Sequence, residues 1–329
     1  MKENKILIDW FSFTTSMCSP ANIIELLGMQ GCPFQESYGF YGWTKSLFFS
    51  NIRIMFGGDV HEGLVMLEMS GQGCRTFETL GHGDFNNLFR FCLDNKDEVK
   101  ITRIDVAFDD FTGLLDLDNI VEDTLKCNFI SRFRAKAKVE ITINPDGSLA
   151  RSVTHGKRSS SVMVRIYDKA AERNRSDEVP HWVRCELQLR QERAQEFVRL
   201  LIEENEMIDN LYFAVLNHYL RYVTISDTDS NKWRADIAEH WLDFFNYVDT
   251  IKHSLYVQPG MDYNAAKLKQ TYGEHFAGGI YTYIQLWGIN ALVEDVEKSK
   301  HKLNPKYRML LAEEEQLTGV DLIDCQTSI

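Results

Sequence analysis

The stretch VRIYDK, residues 164–169, alternates apolar and polar side chains with a period of two. Neighbouring side chains of a β-strand point to opposite faces, so Arg165, Tyr167 and Lys169 would share one face. The valine and isoleucine between them would share the other. The stretch therefore predicts a strand that buries an apolar face and presents one tyrosine between two cations.

Two further stretches, RIDVAFDD (103–110) and VRCELQLR (183–190), show the same alternation. Each would have an apolar face for a core and a charged face. The charged faces carry Arg103, Asp105, Asp109, Arg184, Glu186, Gln188 and Arg190. Because antiparallel sheets often leave one face to solvent, an ordinary amphipathic sheet is the simplest interpretation of any one of these strands.

The order of segments along the chain predicts an α+β fold, with an antiparallel β-sheet core and flanking helices. Strand-like and helix-like segments alternate up to about residue 200, and the apolar spacing is helical beyond it. We therefore expect an α+β domain over residues 1–200 and a helical C-terminal subdomain over 201–329. Within the first domain, residues 5–110 and 117–190 are predicted to form two related βαβ-like sheets.

The net charge of −12 over 329 residues argues against a nucleic-acid partner, but the distribution of charge does not. Residues 130–194 contain 14 Lys and Arg against 8 Asp and Glu, so a basic segment lies within an acidic chain. Such a segment can attract an anion, although a solvated charged face is the commoner reason for one. The turn-like stretch THGKRSSS (154–161) adds Lys157 and Arg158, which suit a phosphate backbone.

The sequence predicts a cytoplasmic protein that does not bind a membrane. Its seven cysteines are scattered without a CxxC pair, which favours reduced thiols and disfavours a zinc site. No apolar run approaches the ~20 residues that span a bilayer, and the N-terminus lacks a signal-peptide pattern.

The three polar strand faces carry the groups that phosphodiester chemistry needs, provided that the strands are neighbours. The carboxylates at 105, 109 and 186 are ligands of the kind that Mg²⁺ or Mn²⁺ prefers. Arginine matches phosphate geometry, and nearby cations and a metal would favour the phenolate form of Tyr167. Together these groups describe a transesterification site in which the tyrosine is the nucleophile and the cations offset the charge of the transition state.

Five motifs in order resemble the replication initiation factor family: IDWFSFT, LEMSGQGCRTFE, TRIDVAFDD, VRIYDKAAE and WVRCELQLR. This family contains rolling-circle initiators of plasmids, relaxases of integrative conjugative elements (the MOB-T type) and phage homologues. The resemblance implies that residues 1–200 form a DNA-nicking domain. It implies a site-specific, strand-specific nickase of an origin, which leaves a 5′-phosphotyrosyl enzyme and a free 3′-OH.

The resemblance also implies roles for single residues. Tyr167 would be the nucleophile, with Arg165 and Lys169 beside it, and a divalent metal (Mg or Mn) would be held by acidic residues. The implied metal ligands are Asp105, Glu186 and Asp109, and the predicted DNA contacts are Arg103, Lys157, Arg158, Arg184 and Arg190. The larger class of rolling-circle nickases binds metal through a His-hydrophobic-His pair, which this sequence does not contain.

The predicted partners are origin DNA, single-stranded or melted at the nick site, a host helicase and a second copy of the chain. Two other functions remain open: a non-catalytic DNA-binding replication protein of the same fold, and a metal-dependent nuclease that uses water as its nucleophile.

Other tyrosines offer alternatives to Tyr167. Tyr212, Tyr219 or Tyr222 could be the nucleophile, although their spacing favours a helix that buries aromatic side chains. Tyr38 and Tyr41 could stack on unpaired bases, and packing within a turn explains them at least as well.

Overall fold

A computed structural model describes residues 3–134, 136–143, 147–173, 175–176, 179, 181–225, 232–246, 269, 272–298 and 311. The chain divides into two compact units, Met1–Tyr256 and Val257–Ile329. The predicted domain boundary near residue 200 stays a prediction. The helical pattern that the sequence shows within 247–271 and 299–329 falls, apart from single residues, outside the described part of the chain.

The first unit combines strands and helices in alternation. Its described strands are β1 (Lys5–Thr15), β2 (Gln35–Tyr38), β3 (Lys45–Phe49), β4 (Ile52–Phe56), β5 (Val65–Ser70), β6 (Val99–Asp110), β7 (Phe129–Ser131), β8 (Lys138–Ile143), β9 (Leu149–Gly156), β10 (Val162–Asp168), β11 (Val183–Arg190), β12 (Leu220–Thr224) and β13 (Asp236–Ile237). Its described helices are α1 (Pro20–Leu26), α2 (Gly71–Leu80), α3 (Phe85–Asp94), α4 (Leu117–Leu125), α5 (Lys169–Glu172), α6 (Glu192–Glu203), α7 (Ile208–Tyr219) and α8 (Glu239–Asn246).

Ten of these strands form one antiparallel sheet in the order β2-β3-β4-β5-β1-β6-β11-β10-β9-β8. The two halves of the sheet have matching orders, because each places its first strand, β1 or β6, at the centre and its last strand next to it. The expectation that the two halves are related is therefore correct for the order of their strands. The expectation of two βαβ-like sheets is wrong, because β1 pairs with β6 along its whole length and joins the halves, and the pairings are antiparallel.

The strands of the three stretches, β6, β11 and β10, are neighbours in this sheet. Gln188 pairs with Asp105, and Glu186 lies between Ala107 on one side and Arg165 on the other. The sequence left open whether the three strands are neighbours. The structure shows that they are, so the three polar faces form one continuous surface.

The apolar face of the sheet is buried beneath helices. α2 packs on β1, α3 on β6, and α6 on both β6 and β11. The ring of Phe11 on β1 lies 5.1 Å from that of Phe89 on α3, and the ring of Phe108 on β6 lies 5.7 Å from that of Phe213 on α7. Burying a side chain of this size contributes about 1.5–3 kcal/mol. The helices are thereby fixed to one face, and the opposite face is left to polar side chains.

A second sheet, β13-β12-β7, joins the two strands that follow α7 to the earlier strand β7. The helical spacing read from the sequence ends at Tyr219, because Leu220 is extended and the chain continues as β12. Tyr222 of β12 is fully buried, and its hydroxyl lies 2.8 Å from that of Thr124 and 2.9 Å from His155 Nε2. Pairing and burial of this strand override the local helical pattern.

The described part of the second unit includes two α-helices, α9 (Ala277–Trp287) and α10 (Ile289–Lys298), which meet at Gly288. The hydroxyl of Tyr283 donates a hydrogen bond to Asp295 and links them. Among the residues that the structure describes, no helix is both long and apolar enough to cross a membrane.

The loop after β6 is held by Asp110. Its Oδ1 accepts hydrogen bonds from the backbone N–H groups of Thr112 (2.9 Å) and Gly113 (3.1 Å), and its Oδ2 accepts from Leu115 (2.7 Å). The same Oδ2 lies 2.9 Å from His181 Nε2. Burial alone would raise the pKa of Asp110, but the hydrogen bonds from His181 and the backbone outweigh it and hold this pKa well below its usual range. The bond with Asp110 raises the pKa of His181.

We expect the protein to lose stability in acid, because Asp110 stabilises the fold only while its carboxylate is ionised. Its folded pKa lies below the unfolded value of about 4, so its contribution is complete above that value and is lost as the pH falls through the folded pKa. His181 acts with the opposite sign: its contribution is complete below about pH 6.5 and is lost as the pH rises through its raised pKa. Asp110→Asn should reduce the free energy of unfolding at pH 7 by about 1–3 kcal/mol and flatten its decline in acid. Urea unfolding at a series of pH values tests this, and parallel curves for both proteins would contradict it.

Candidate active site

A cleft of about 720 Å³ opens on the polar face of the large sheet. Its lining carries six cationic and four acidic side chains. The cations are Arg103, Arg158, Arg165, Lys169, Arg173 and Arg190, and the acids are Asp9, Asp105, Glu172 and Glu186. An excess of positive charge with carboxylates among it suits a phosphate ligand that must be both bound and acted upon.

Tyr167 lies on β10, and its side chain lines this cleft. Lys169 Nζ donates a hydrogen bond to its hydroxyl at 3.1 Å, and the hydroxyl donates to Glu186 Oε2 at 3.4 Å. The guanidinium carbon of Arg165 lies 4.1 Å from the centroid of its ring. The hydroxyl thus sits between a cation and a carboxylate, within reach of a group that could take its proton.

Burial raises the pKa of Tyr167 well above its usual range, and Glu186 raises it further, against a lowering by Arg184. The expected effect of a nearby cation is present in the contribution of Arg184, and the expected contribution of a metal stays a prediction. Desolvation disfavours the charged form more strongly than the cations favour it. The neutral hydroxyl needs a proton acceptor before it can act as a nucleophile.

Lys169 reaches Tyr167 through a strand-to-helix turn. The carboxylate of Asp168 accepts a hydrogen bond from the backbone N–H of Ala171 at 2.8 Å and caps α5, whose first residue is Lys169. Lys169 Nζ also pairs with Glu172. The sequence placed the lysine beside the tyrosine by strand alternation, whereas the structure ends the strand one residue earlier and brings the two together through the helix cap.

The negative charge of the Glu186 carboxylate is not balanced by the nearby arginines. Burial raises its pKa to about 7, and the nearby charges of Asp105 and Asp9 contribute, while Arg184 and Arg103 act in the opposite direction. Burial also raises the pKa of Asp105, against its hydrogen bond with Arg103. These neighbouring carboxylates would be stabilised by an additional cation or by a shared proton.

Asp105 and Asp109 each have an arginine partner in the structure. Arg103 donates to both oxygens of Asp105, from Nε to Oδ1 at 2.8 Å and from Nη2 to Oδ2. Arg184 donates to both oxygens of Asp109, at 2.6 and 2.8 Å, and its second amino group lies 2.6 Å from Asp9 Oδ1. Within the described residues, no three acidic, histidine or cysteine side chains are grouped closely enough to hold a metal ion.

The predicted DNA contacts fall into three groups. Arg103, Arg158 and Arg190 line the cleft. Lys157 is exposed next to Arg158. Arg184 is 4% exposed and forms ion pairs with Asp9 and Asp109. It therefore holds neighbouring strands together and is not placed to reach DNA.

Asp9 is a cleft residue that strand alternation did not select. It sits on β1 where the pairing with β6 shifts register between Ile8 and Trp10. A Cβ atom on Gly71 would lie 2.7 Å from Asp9 Oδ1, so a larger residue at 71 would displace this carboxylate. The available signal was a lone acidic residue within the apolar run ILIDWFSF.

The alternative tyrosines lie elsewhere. Tyr212 is fully buried and donates a hydrogen bond to the backbone oxygen of Cys185 at 2.8 Å. The hydroxyl of Tyr222 forms a buried hydrogen bond with that of Thr124. The ring of Tyr219 packs 5.5 Å from that of Phe133. These three side chains serve the packing of the first unit.

Comparison with known proteins gives matches along most of the chain. Residues 99–272 match the family model described as replication initiation factor, and residues 5–92 match the model of the N-terminal domain of rolling-circle replication initiation proteins. The putative DNA relaxase NicK of Bacillus subtilis (strain 168) is 27% identical over 243 residues, which is 70% of this chain and 66% of the relative, slightly less than two thirds of its length. A solved rolling-circle replication initiator protein from Geobacillus stearothermophilus superimposes with a TM-score of 0.67 at 28% identity, covering 74% of this chain and 96% of that one.

Proposed function

This chain belongs to the replication initiation factor family, and from that premise we propose that it nicks one strand of an origin and becomes joined to the cut DNA through Tyr167. One observation carries the proposal: the hydroxyl of Tyr167 lies in a positively charged cleft, between Lys169 Nζ and Glu186 Oε2. The two relatives, a putative DNA relaxase and a rolling-circle replication initiator, support the same activity.

In the proposed reaction, Tyr167 Oη attacks the phosphorus of one phosphodiester. The new Oη–P bond forms as the bond from phosphorus to the 3′ oxygen breaks, which leaves a 5′-phosphotyrosyl enzyme and a 3′-OH. Glu186 accepts the tyrosine proton, since its carboxylate already accepts the hydrogen bond of that hydroxyl. The leaving 3′ oxygen takes a proton from solvent, and Lys169 and Arg165 offset the negative charge of the transition state.

A denaturing gel tests this function directly. The protein is incubated with Mn²⁺ and single-stranded oligonucleotides tiled across the DNA that flanks its own gene, and we expect one oligonucleotide to yield a protein–DNA adduct that survives denaturation. Cleavage without an adduct would instead indicate a nuclease that uses water. Binding without cleavage would indicate a DNA-binding protein of the same fold.

The family implies a divalent metal, and the donor chemistry of the cleft suits one. Mg²⁺ is commonly held by one or two carboxylates, with water and substrate phosphates completing its shell. Asp105 and Glu186 fit this role because their crowded charges call for a cation. We leave Asp109 out of the site, since it is not part of the cleft lining and its partner Arg184 is buried and also pairs with Asp9. When bound, the metal would polarise the scissile phosphate.

Asp105→Asn is expected to weaken Mn²⁺ binding about 10- to 100-fold, because one of two anionic ligands is lost. Electron paramagnetic resonance of free Mn²⁺ in a titration of the DNA-free protein measures this without reference to activity. Asp116→Asn, which alters a helix-capping carboxylate outside the cleft lining, is the control. Equal Mn²⁺ affinity in the wild-type and Asp105→Asn proteins would remove Asp105 from the metal site.

The proposed substrate is origin DNA, single-stranded or melted at the nick. A host helicase and a second copy of the chain remain predictions. The proposed site of action is the cytoplasm.

A further inference from the structure

The loop between β2 and β3, with the sequence YGFYGW (38–43), exposes aromatic rings beside the cleft. Tyr41 is 79% exposed and Phe40 is 53% exposed, and Tyr41 is also part of the cleft lining. Large rings exposed together are unfavourable in water and often mark a surface that binds something. The chemistry at Tyr167 does not use these rings.

A buried residue and a ring stacked on it support the backbone of this loop. Trp43 is buried, and the ring of His61 stacks on it with centroids 4.2 Å apart. His61 Nε2 lies 2.9 Å from the backbone oxygen of Tyr41. Gly42 has a φ of 93°, and Tyr41 itself has a φ of 57°, a conformation that side-chain-bearing residues rarely adopt. The exposed rings therefore stand on a well-supported turn.

Arg53 packs against the ring of Phe40. The guanidinium carbon of Arg53 lies 4.7 Å from its centroid and 4.6 Å from that of Phe48, so the cation fills the space between two rings. Arg53 Nη1 also donates to the backbone oxygen of Tyr38 at 3.2 Å. This contact orients Phe40 while about half of its surface stays free.

An unsatisfied cation lies close to Tyr41. Arg190 lines the same cleft, and its buried Nε has no hydrogen-bond partner among the described residues. Burial and the neighbouring charge of Arg103 lower the pKa of Arg190, and the hydroxyl of Tyr41 is close enough to influence it. A buried donor without a partner is costly, and an anion placed there would satisfy it.

From these contacts we infer that Phe40 and Tyr41 form a stacking platform for unpaired bases of the strand being cut, and that Arg190 binds a phosphate of the same segment. The inference rests on the proposed function for its substrate. Aromatic faces stack on every base, so the platform selects for unpaired DNA and leaves sequence choice to other contacts. Bases within a duplex have their faces covered by their neighbours, and they cannot use it.

The first test measures binding in the Tyr167→Phe background, where no strand is cut. The probe is a fluorescein-labelled oligothymidylate, and the readout is anisotropy. Phe40→Ala/Tyr41→Asn should weaken binding by roughly 5- to 100-fold for each ring, and asparagine is chosen because it tolerates positive φ. The double variant Phe40→Tyr/Tyr41→Phe keeps both rings and should recover most of the affinity. Trp233→Ala removes an exposed aromatic outside the cleft lining and is the matched control.

Two further measurements locate the contact. An oligothymidylate that contains 5-iodouracil should crosslink on irradiation to Phe40 or Tyr41, as mapped by peptide mass spectrometry. Arg190→Gln should reduce the slope of log affinity against log salt by about 0.7, the value for one phosphate of a single strand. Because both rings are exposed, the melting temperature of the ring variants should match that of the parent.

The inference is overturned if the ring-deleted variant, with an unchanged melting temperature, binds oligothymidylate as tightly as the parent. It is also overturned if every crosslink maps outside the loop. Neither result concerns Tyr167, whose role is tested by adduct formation. Conversely, loss of affinity on removing the rings would support the platform even in a protein that forms no adduct.

Discussion

Tyr167→Phe should abolish the covalent protein–DNA adduct and reduce strand cleavage to background. The substitution removes the one oxygen that would bond to phosphorus and leaves the ring, which packs under Arg165. The lost hydrogen bonds to Lys169 and Glu186 should reduce stability by only about 1 kcal/mol, so the fold is kept. Adduct formation on a denaturing gel and oligonucleotide binding by anisotropy separate catalysis from binding, and binding should change little.

Tyr219→Phe is the matched control, because this half-buried tyrosine lies on α7 and packs on Phe133. It should form the adduct at the wild-type rate. An adduct that persists in Tyr167→Phe and disappears in Tyr219→Phe would transfer the nucleophile to the helix. Cleavage that persists in Tyr167→Phe without any adduct would indicate water as the nucleophile.

Glu186→Gln should lower the rate of nicking by about 10²–10⁴-fold, the usual contribution of a general base. The amide keeps the shape of the side chain but cannot accept the proton of Tyr167, whose raised pKa makes proton removal necessary. It also removes a negative charge from the group formed with Asp105 and Asp9. Single-turnover nicking measures the loss, and affinity for the oligonucleotide should stay within a few-fold of wild type.

The response to Mn²⁺ distinguishes Glu186 from Asp105. If Asp105 acts only through the metal, excess Mn²⁺ should restore much of the nicking in Asp105→Asn. Excess Mn²⁺ should not restore Glu186→Gln, because the proton acceptor is missing. Full recovery of Glu186→Gln at high Mn²⁺ would show that its role is metal binding alone.

The alternation of side chains was sufficient to place Arg165 and Tyr167 on the polar face of one strand and Glu186 on the polar face of another. This part was predictable because the period of two follows from strand geometry and does not depend on the rest of the fold. The sequence left open whether β6, β10 and β11 are neighbours, and the register of the large sheet shows that they are.

Features that depend on tertiary packing were not predictable. Arg184 shares the polar face, but only the register against β6 shows that it is committed to Asp109. Asp9 enters the cleft through a local shift in pairing, which no periodic pattern contains. The neutral state of Tyr167 follows from burial, and a count of nearby charges cannot reveal it.

The identity of the modified residue tests the central claim most directly. After the adduct has formed and the DNA has been digested with nuclease, trypsin should release Ile166–Lys169, since it cleaves after Arg165 and Lys169. Mass spectrometry should find this peptide carrying a nucleotide through a phosphodiester on Tyr167. A nucleotide on any other tyrosine, or an unmodified Ile166–Lys169 peptide in the purified adduct, would contradict the account.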